Sequence, residues 1–384
     1  MISNCPICSN TNSNKIYEAR VPVKEYLHEN DSNYDDLIAT IHIIRCYECE
    51  HAYIQNYNSL LDDDFYSDAP LPSNPVNPKM QNKLLYLLEW IGKDYIKNKR
   101  VLEIGSGSGH LARIIAEQAK SVTIVEPNKS LNNDLLPEEN INLISGHYQY
   151  NRSMGLFDLV ICRQVIEHIQ NPINFVNDII SCLKPDGYAY LEVPNADYIY
   201  ANNMIWDFHF QHIHYFTFSS FINAVKQAGL YYNRDISLMD KHDMGFLFSK
   251  QPKNHEIPKH RKNSNISSEI VFESIKDKYK SLLNSIDGRI ALYGANTHGS
   301  VFLNIMDDYS SIIDVTFDDS EYLYNYFLFN KEGKISIQKP RSIEINQFDN
   351  IIITAYLHEK SIRENLSNLD YKGRIFSIIP DKIG

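Results

Sequence analysis

One stretch limits what this chain can become more than any other: Val101-Leu102-Glu103-Ile104-Gly105-Ser106-Gly107-Ser108-Gly109. Val101–Ile104 reads as a buried strand, three glycines follow at alternate positions, and Leu111–Ala119 has the apolar spacing of a helix. Glycine accepts positive φ and lets the backbone come close to a bound molecule, so this strand, turn and helix read as the floor of a nucleotide-type site. The spacing Glu-x-Gly-x-Gly-x-Gly differs from the dinucleotide form Gly-x-Gly-x-x-Gly, and a pyrophosphate is not its natural ligand. Glu126 ends the next strand, Ser121–Val125, 21 residues after Gly105. A carboxylate there can accept both hydroxyls of a ribose. The alternative is a helix-capping turn with an unrelated acid beside it.

Strands and helices continue to alternate: strand Phe157–Cys162, helix Phe175–Leu183, turn Lys184-Pro185-Asp186-Gly187, strand Tyr188–Val193. That rhythm argues an α/β fold with a parallel sheet covered on both faces. It resumes at Ile290–Tyr293, with a glycine turn, a helix near Val301–Met306, and strands Asp314–Phe317, Ile351–Thr354 and Arg374–Ile379. Between Asp62 and Pro78 lies an acidic, proline-rich connector, and the spacing of Met80, Leu84, Leu87, Leu88, Ile91 and Tyr95 predicts a helix after it. Lys250–Ser268, with Lys250, Lys253, Lys259, Arg261 and Lys262, reads as a solvated linker rather than a phosphate-binding patch. The divisions expected are 1–78, 79–249, a linker and helix over 250–280, and 281–384.

Cys5-x-x-Cys8 and Cys46-x-x-Cys49 supply four thiolates that can converge on one zinc ion. Four cysteines leave no position for a catalytic water, so the site is expected to be structural; two disulfides or four unrelated thiols are the alternatives. His51 is expected at the surface rather than as a fifth ligand, and Cys162 and Cys182 as buried packing thiols. Lys plus Arg number 37 against 48 Asp plus Glu, a net charge of −11, which argues against nucleic acid or anionic membrane as partner. With no apolar run approaching a membrane span and no leader-like N-terminus, the expected location is the cytoplasm.

The glycine loop and Glu126 resemble the first motifs of class I S-adenosylmethionine (SAM) methyltransferases. Phe157–Ile169 and Leu183–Gly187 resemble that family's fourth strand with its following loop, and the turn before its fifth strand. The resemblance implies a Rossmann-like seven-stranded domain in which Glu103, Gly105, Gly107, Gly109, Glu126 and Gln164 bind SAM. No Gly-Lys-Ser/Thr phosphate loop and no dinucleotide fingerprint competes with it.

In its order of parts the whole chain resembles a narrower group, the sugar C-methyltransferases acting on nucleotide-activated 4-keto-6-deoxy sugars. That resemblance rests on Cys5/Cys8/Cys46/Cys49, the glycine loop, Glu126, Phe208–Phe216, Leu292–Gly299 and Phe317-Asp318-Asp319-Ser320. It implies an N-terminal four-cysteine zinc domain and a C-terminal Rossmann-like domain on either side of the SAM domain. It also implies His212, His168 and Tyr66 as catalytic residues, and Asn296 and His298 as donors to the substrate's diphosphate. Two positions depart from the group's Tyr-x-Glu-His pattern: His209 stands for the Tyr and Gln211 for the Glu. Alkylation beside a ketone needs a base and groups that hold an enolate, and Gln211 cannot keep His212 basic by charge. His209 and His214 read as packing or surface residues. O-methylation of a glycan intermediate or another small molecule is the second reading, and a non-catalytic SAM-fold binding protein the third.

Overall fold

The computed structural model describes residues 4–31, 37–57, 66, 70, 78–132, 136, 138–253, 255–258 and 269–380. Of the proline-rich connector only Tyr66, Pro70 and Pro78 are among them, and Lys259, Arg261 and Lys262 of the linker lie outside the described residues.

Three sheets organise the chain. Strands β1 (Ser13–Pro22), β2 (Ile38–Cys46) and β3 (Ala52–Ile54) form an antiparallel meander. Ala19 and Val21 of β1 point inward while Glu18 and Arg20 face solvent, the period of a half-buried strand. The middle sheet is built from β4 (Arg100–Ile104), β5 (Ser121–Glu126), β6 (Ile141–Ser145), β7 (Phe157–Arg163) and β8 (Leu183–Pro194). The two-residue β9 (His214–Tyr215) leaves it and pairs with β3, Ala52 against Tyr215 and Tyr53 against His214. Then β10 (Tyr231–Leu238) and β11 (Asp243–Ser249) complete the middle sheet in the order β10-β11-β8-β7-β4-β5-β6, with β11 antiparallel to both neighbours. The remaining contacts in that sheet are parallel. This is the expected Rossmann-like seven-stranded sheet.

The third sheet contains β12 (Ile290–Tyr293), β13 (Ile313–Phe317), β14 (Phe327–Asn330), β15 (Gly333–Gln338), β16 (Asn350–Ile353) and β17 (Arg374–Ser377). Its order is β14-β15-β13-β12-β16-β17, parallel except for the β14–β15 hairpin. In each of the two larger sheets the strand order reverses at its first strand, β4 or β12. Ligands of open α/β sheets sit beyond the carboxyl ends of strands at such a reversal. No described helix is long and apolar enough to cross a membrane.

An aromatic core joins the N-terminal and C-terminal sheets. Tyr17, Trp206, Phe208, Phe272, Tyr279 and Phe302 are all fully buried. Trp206 lies 5.0 Å from the rings of both Tyr279 and Phe302, and its indole N–H donates to the Ile378 carbonyl at 2.7 Å. Cys162 and Cys182 are buried packing thiols, as expected.

Two details differ from the sequence reading. Lys184-Pro185-Asp186-Gly187 is not a separate turn but a bulge within β8: Phe157 pairs with Leu183 and Leu159 already with Tyr188. Lys184 reaches back to Asp158 at 2.7 Å and so fastens the bulge to β7. The first helix of the middle sheet runs His110–Ala116, ending three residues before Ala119.

Beneath β8 and β11 lies a buried charge chain. Lys83, on the helix Pro78–Ile91, donates to Glu192 at 2.8 Å and Asp243 at 2.7 Å. His242 bridges Asp243 at 2.8 Å and Asp207 at 3.1 Å. Burial alone would lower the His242 pKa; the hydrogen bonds its ring donates to Asp207 and Asp243 outweigh it and raise it to about 10. A raised folded-state pKa stabilises fully below the imidazole's ordinary value of about 6.5, and that stabilisation is lost as pH climbs through about 10. His242→Gln is therefore expected to lower the melting temperature most at pH 6 and least near pH 10, measured by calorimetry across that range. A difference between variant and parent that does not shrink with rising pH counts against a protonated His242.

Candidate functional site

The carboxyl ends of β4, β5 and β7 meet at the reversal of the middle sheet. Gly105 turns the chain there with φ +71°, and a Cβ on it would lie 2.4 Å from the Val165 side chain, so only glycine fits. Glu126 accepts the Gly107 N–H at 2.7 Å on one oxygen and the Asn128 N–H at 3.0 Å on the other. Burial raises the Glu126 pKa while those two donors oppose the rise. Each oxygen keeps lone pairs for a further donor, which suits the two hydroxyls of a ribose. Gly109, at φ +71°, opens the helix His110–Ala116. Glu103 is buried behind the loop, pushed up to about 7 chiefly by burial, with Arg163 opposing. Gln164 takes φ +53° and donates through its side chain to Glu192 at 3.4 Å. The residues present therefore fit SAM.

The loop after β7 carries Glu167 and His168 and faces His209 and His212. Tyr66 joins them: its ring centroid is 5.7 Å from that of His168, and its carbonyl accepts from Asn128 at 3.0 Å. The structure thus brings His212, His168 and Tyr66 together as expected from the sequence. Burial pulls His168 down to about 4 and His209 to about 3, and drives His212 well below its ordinary value, so these imidazoles are neutral at pH 7. Neutral imidazoles can accept protons.

The carboxyl group nearest the two imidazoles is that of Glu167, a residue that sequence reasoning missed. Its Oε1 lies 3.9 Å from Nε2 of both His168 and His212, and its side chain is fully buried. The only hint was its place beside His168, in a Glu-His pair too common to single out. Gln211 has its own task. Its amide NH2 donates to the Val23 carbonyl at 3.0 Å, which turns its oxygen towards His209 Nδ1 at 2.9 Å. His209 therefore carries its proton on Nδ1, and its Nε2 lone pair is free of that bond.

His51 is fully buried rather than on the surface. The β2–β3 turn folds it under Phe216, and its Nε2 lies 3.0 Å from His214 Nδ1. His214 in turn donates from Nε2 to the Ile169 carbonyl at 2.9 Å. His214 is thus a packing residue that ties the loop after β7 to the N-terminal sheet through β9.

Sγ of Cys5 lies 3.5 Å from that of Cys49, Sγ of Cys8 lies 3.5 Å from that of Cys46, and all four lie within 4.8 Å of one another. Sulfurs held about 2.3 Å from one zinc would be roughly 3.8 Å apart, so the four thiols fit a closed tetrahedral site.

At the reversal of the third sheet, Asn296 and His298 already have partners. Asn296 caps the helix Thr297–Met306 by accepting the Gly299 N–H at 3.0 Å. His298 Nε2 binds Asp207 at 3.0 Å, and Tyr356 adds its hydroxyl to the same carboxylate. A cavity of about 630 Å³ separates this loop from the glycine loop, lined by Ser106, Ser108, Ala295, Asn296, Asp318 and Asp319 among others.

The family model described as a methyltransferase domain matches residues 76–235, and one described as a C-methyltransferase C-terminal domain matches 269–380. The chain is therefore a SAM-dependent methyltransferase whose residues 269–380 are similar to a domain described from C-methyltransferases. A ubiquinone biosynthesis O-methyltransferase of Rickettsia canadensis is 31% identical over 120 residues, 29% of this chain and 51% of the relative. The enzyme of that name from Coxiella burnetii is 26% identical over 134 residues, 32% of this chain and 57% of the relative. The chain spans about half the length of these curated relatives. Among solved structures, the N-methyltransferase NodS from Bradyrhizobium japonicum with S-adenosyl-L-homocysteine aligns at TM-score 0.37 and 17% identity, over 50% of this chain and 94% of that one. An S-adenosylmethionine-dependent methyltransferase from Listeria monocytogenes aligns at TM-score 0.39 and 13% identity, over 46% of this chain and all of that one.

Two outcomes follow. Glu126→Ala should weaken SAM binding by roughly 1.5–3 kcal/mol, the scale for hydrogen bonds to a charged group, in a calorimetric titration. Unchanged affinity would show that SAM does not lie on Glu126. Elemental analysis should find zinc on the four cysteines, and Cys46→Ser should release it and destabilise the N-terminal sheet, because metal binding at such sites is coupled to folding.

Proposed function

We propose that the chain transfers the methyl group of SAM to a carbon beside the ketone of a nucleotide-activated deoxy sugar. The observation that carries this reading is the gathering of His168, His209 and His212 with Tyr66 at the end of β7, next to the SAM cradle. The match of residues 269–380 to a C-methyltransferase C-terminal domain supports carbon as the acceptor.

SAM supplies an electrophilic methyl group on a sulfonium. The chain's own work is to take the proton from the carbon and hold the enolate until transfer. The close, mutually tilted pair His209 and His212, with ring centroids 3.8 Å apart, receives the proton. The Tyr66 hydroxyl holds the enolate oxygen; His168, whose ring proton goes to the Gln211 carbonyl, packs against the Tyr66 ring rather than donating to the enolate. The C–H and S–CH3 bonds break, a C–CH3 bond forms, and S-adenosylhomocysteine leaves with the proton still on the imidazole pair. The nucleotide end extends into the cavity towards Asn296 and the third sheet. The four cysteines hold one structural zinc, and cysteines kept reduced for that ion suit a reducing, cytoplasmic setting.

O-methylation is the second reading, favoured by the ubiquinone biosynthesis O-methyltransferases among the relatives. Enzyme, keto sugar and S-adenosylhomocysteine in heavy water separate the two. Carbon alkylation predicts exchange of the proton beside the ketone without methyl transfer, lost in His209→Asn and His212→Asn while SAM binding persists. A methoxy product formed without such exchange would make oxygen the acceptor. SAM binding without transfer to any sugar of a panel would leave a binding protein.

A further inference from the structure

We propose that Glu167, His168 and His212 form a second metal site, distinct from the four cysteines, for a divalent first-row transition ion. Glu167 is the anomaly that calls for it. Its side chain is fully buried, and neither carboxylate oxygen has a hydrogen bond from another residue among the described residues. A buried carboxylate is ordinarily paired, hydrogen-bonded or bound to a cation. Of the two imidazoles that face Glu167, that of His168 is not a donor. His168 Nδ1 lies 2.8 Å from the Gln211 carbonyl, which can only accept, so the ring proton is on Nδ1 and Nε2 presents a lone pair. That lone pair is the atom 3.9 Å from Glu167 Oε1. At 3.9 Å the two atoms are too far apart to share a proton and well spaced to share a cation.

The distances suit such a cation. One donor atom from each of the three residues lies within 4.8 Å of the others, and both nitrogen-to-oxygen separations are 3.9 Å. Donors held about 2.0–2.2 Å from a shared ion stand roughly 3.0–4.3 Å apart. A histidine whose other ring nitrogen is fixed by a backbone carbonyl is the usual form of a metal-binding imidazole. Two nitrogens and one carboxylate suit Mn2+, Fe2+, Co2+ or Zn2+ better than Mg2+ or Ca2+, which prefer all-oxygen sites. The His168 and His212 side chains remain 18% and 17% exposed while Glu167 has no exposure, so the site is closed below and open above. Open positions on that side leave room for a substrate oxygen.

A neighbouring cluster shows the contrast. Asp207, His242 and His298 are equally close. There the carboxylate already accepts from both histidines and Tyr356, and the Asn296 NH2 points at His298 Nδ1, which places the His298 proton on Nε2. That cluster is satisfied by protons; the Glu167 cluster is not. If the proposed methyl transfer holds, an ion on His212 would hold the enolate oxygen and leave His209, with its free Nε2, to take the proton. Ion binding itself does not depend on that reading.

The test uses the full chain with its cysteine-bound zinc in place, titrated with Mn2+ and followed by electron paramagnetic resonance of free and bound ion. One Mn2+ per chain is expected beyond the zinc. Glu167→Gln, nearly isosteric, should weaken it by more than the roughly 10–100-fold that loss of an outer partner costs, while zinc content and SAM affinity stay unchanged. His168→Asn gives the same answer should Glu167→Gln fold poorly. No Mn2+ bound beyond the zinc, or unchanged affinity in both variants, overturns the site. Mn2+ binding that is lost in the variants, together with no methyl transfer to any keto sugar, would uphold the site and overturn the proposed function.

Discussion

Lys83 is the residue on which the arrangement of the site depends. Its ammonium is buried between Glu192 of β8 and Asp243 of β11, with side-chain exposures of 6%, 0% and 8%. Arg163, at the end of β7, holds the other side of Glu192 at 3.2 Å, and His242 passes the chain from Asp243 to Asp207. Three cationic side chains thus meet three carboxylates in a water-poor layer. Such a layer contributes little net stability while complete, but taking away one member leaves a bare buried charge, at about 3–5 kcal/mol. Its value is in placement. Glu192 fixes Arg163 and Gln164, the residues just before Glu167 and His168, and Asp207 takes the side chains of His298 and Tyr356 from the third sheet. Cofactor loop, imidazole cluster and C-terminal sheet are positioned by one electrostatic layer.

The two larger sheets build the same crevice twice. Gly105 donates its N–H to the Val125 carbonyl, and Gly294 donates to that of Phe317, each at the end of a first strand. Glu126 accepts from Gly107 and Asn128; Asp318 accepts from Ala295 and Ser320, the latter again two residues on. A strand-end carboxylate held by two backbone N–H groups is therefore a property of this loop geometry, whichever sheet it occurs in. What differs is the helix that follows. Gly107 and Gly109 keep the first loop open, while Asn296 closes the start of the second helix with its own side chain.

How much of this the sequence discloses depends on the range of the interaction. The glycine loop, Glu126 and the Cys-x-x-Cys pairs are legible because each function is set by neighbours a few residues away, with fixed turn geometry. The convergence of His168, His212 and Tyr66 is legible only through resemblance, since nothing in their spacing places them together. Glu167 and His51 were not legible at all. Their roles come from complete burial, His51 beneath Phe216 and Glu167 beneath two histidines, which is a tertiary fact. The Lys184–Gly187 bulge was misread for a related reason. Pro, Asp and Gly announce a local turn, but the pairing of Leu183 with Phe157 keeps the strand continuous around it.

His209 and Gln211, the two positions that depart from the Tyr-x-Glu-His pattern, act as one unit. Gln211 keeps the geometry a carboxylate would give: it accepts from His209 and is itself anchored to Val23. His209, in the place of a phenol, adds an imidazole whose lone pair is free because Gln211 holds its proton on the other nitrogen. The carboxyl group beside the imidazoles therefore sits on the loop after β7 rather than in the segment Phe208–Phe216, buried and without a hydrogen bond from another described residue. Its place beside two imidazole rings sets what the cluster can bind.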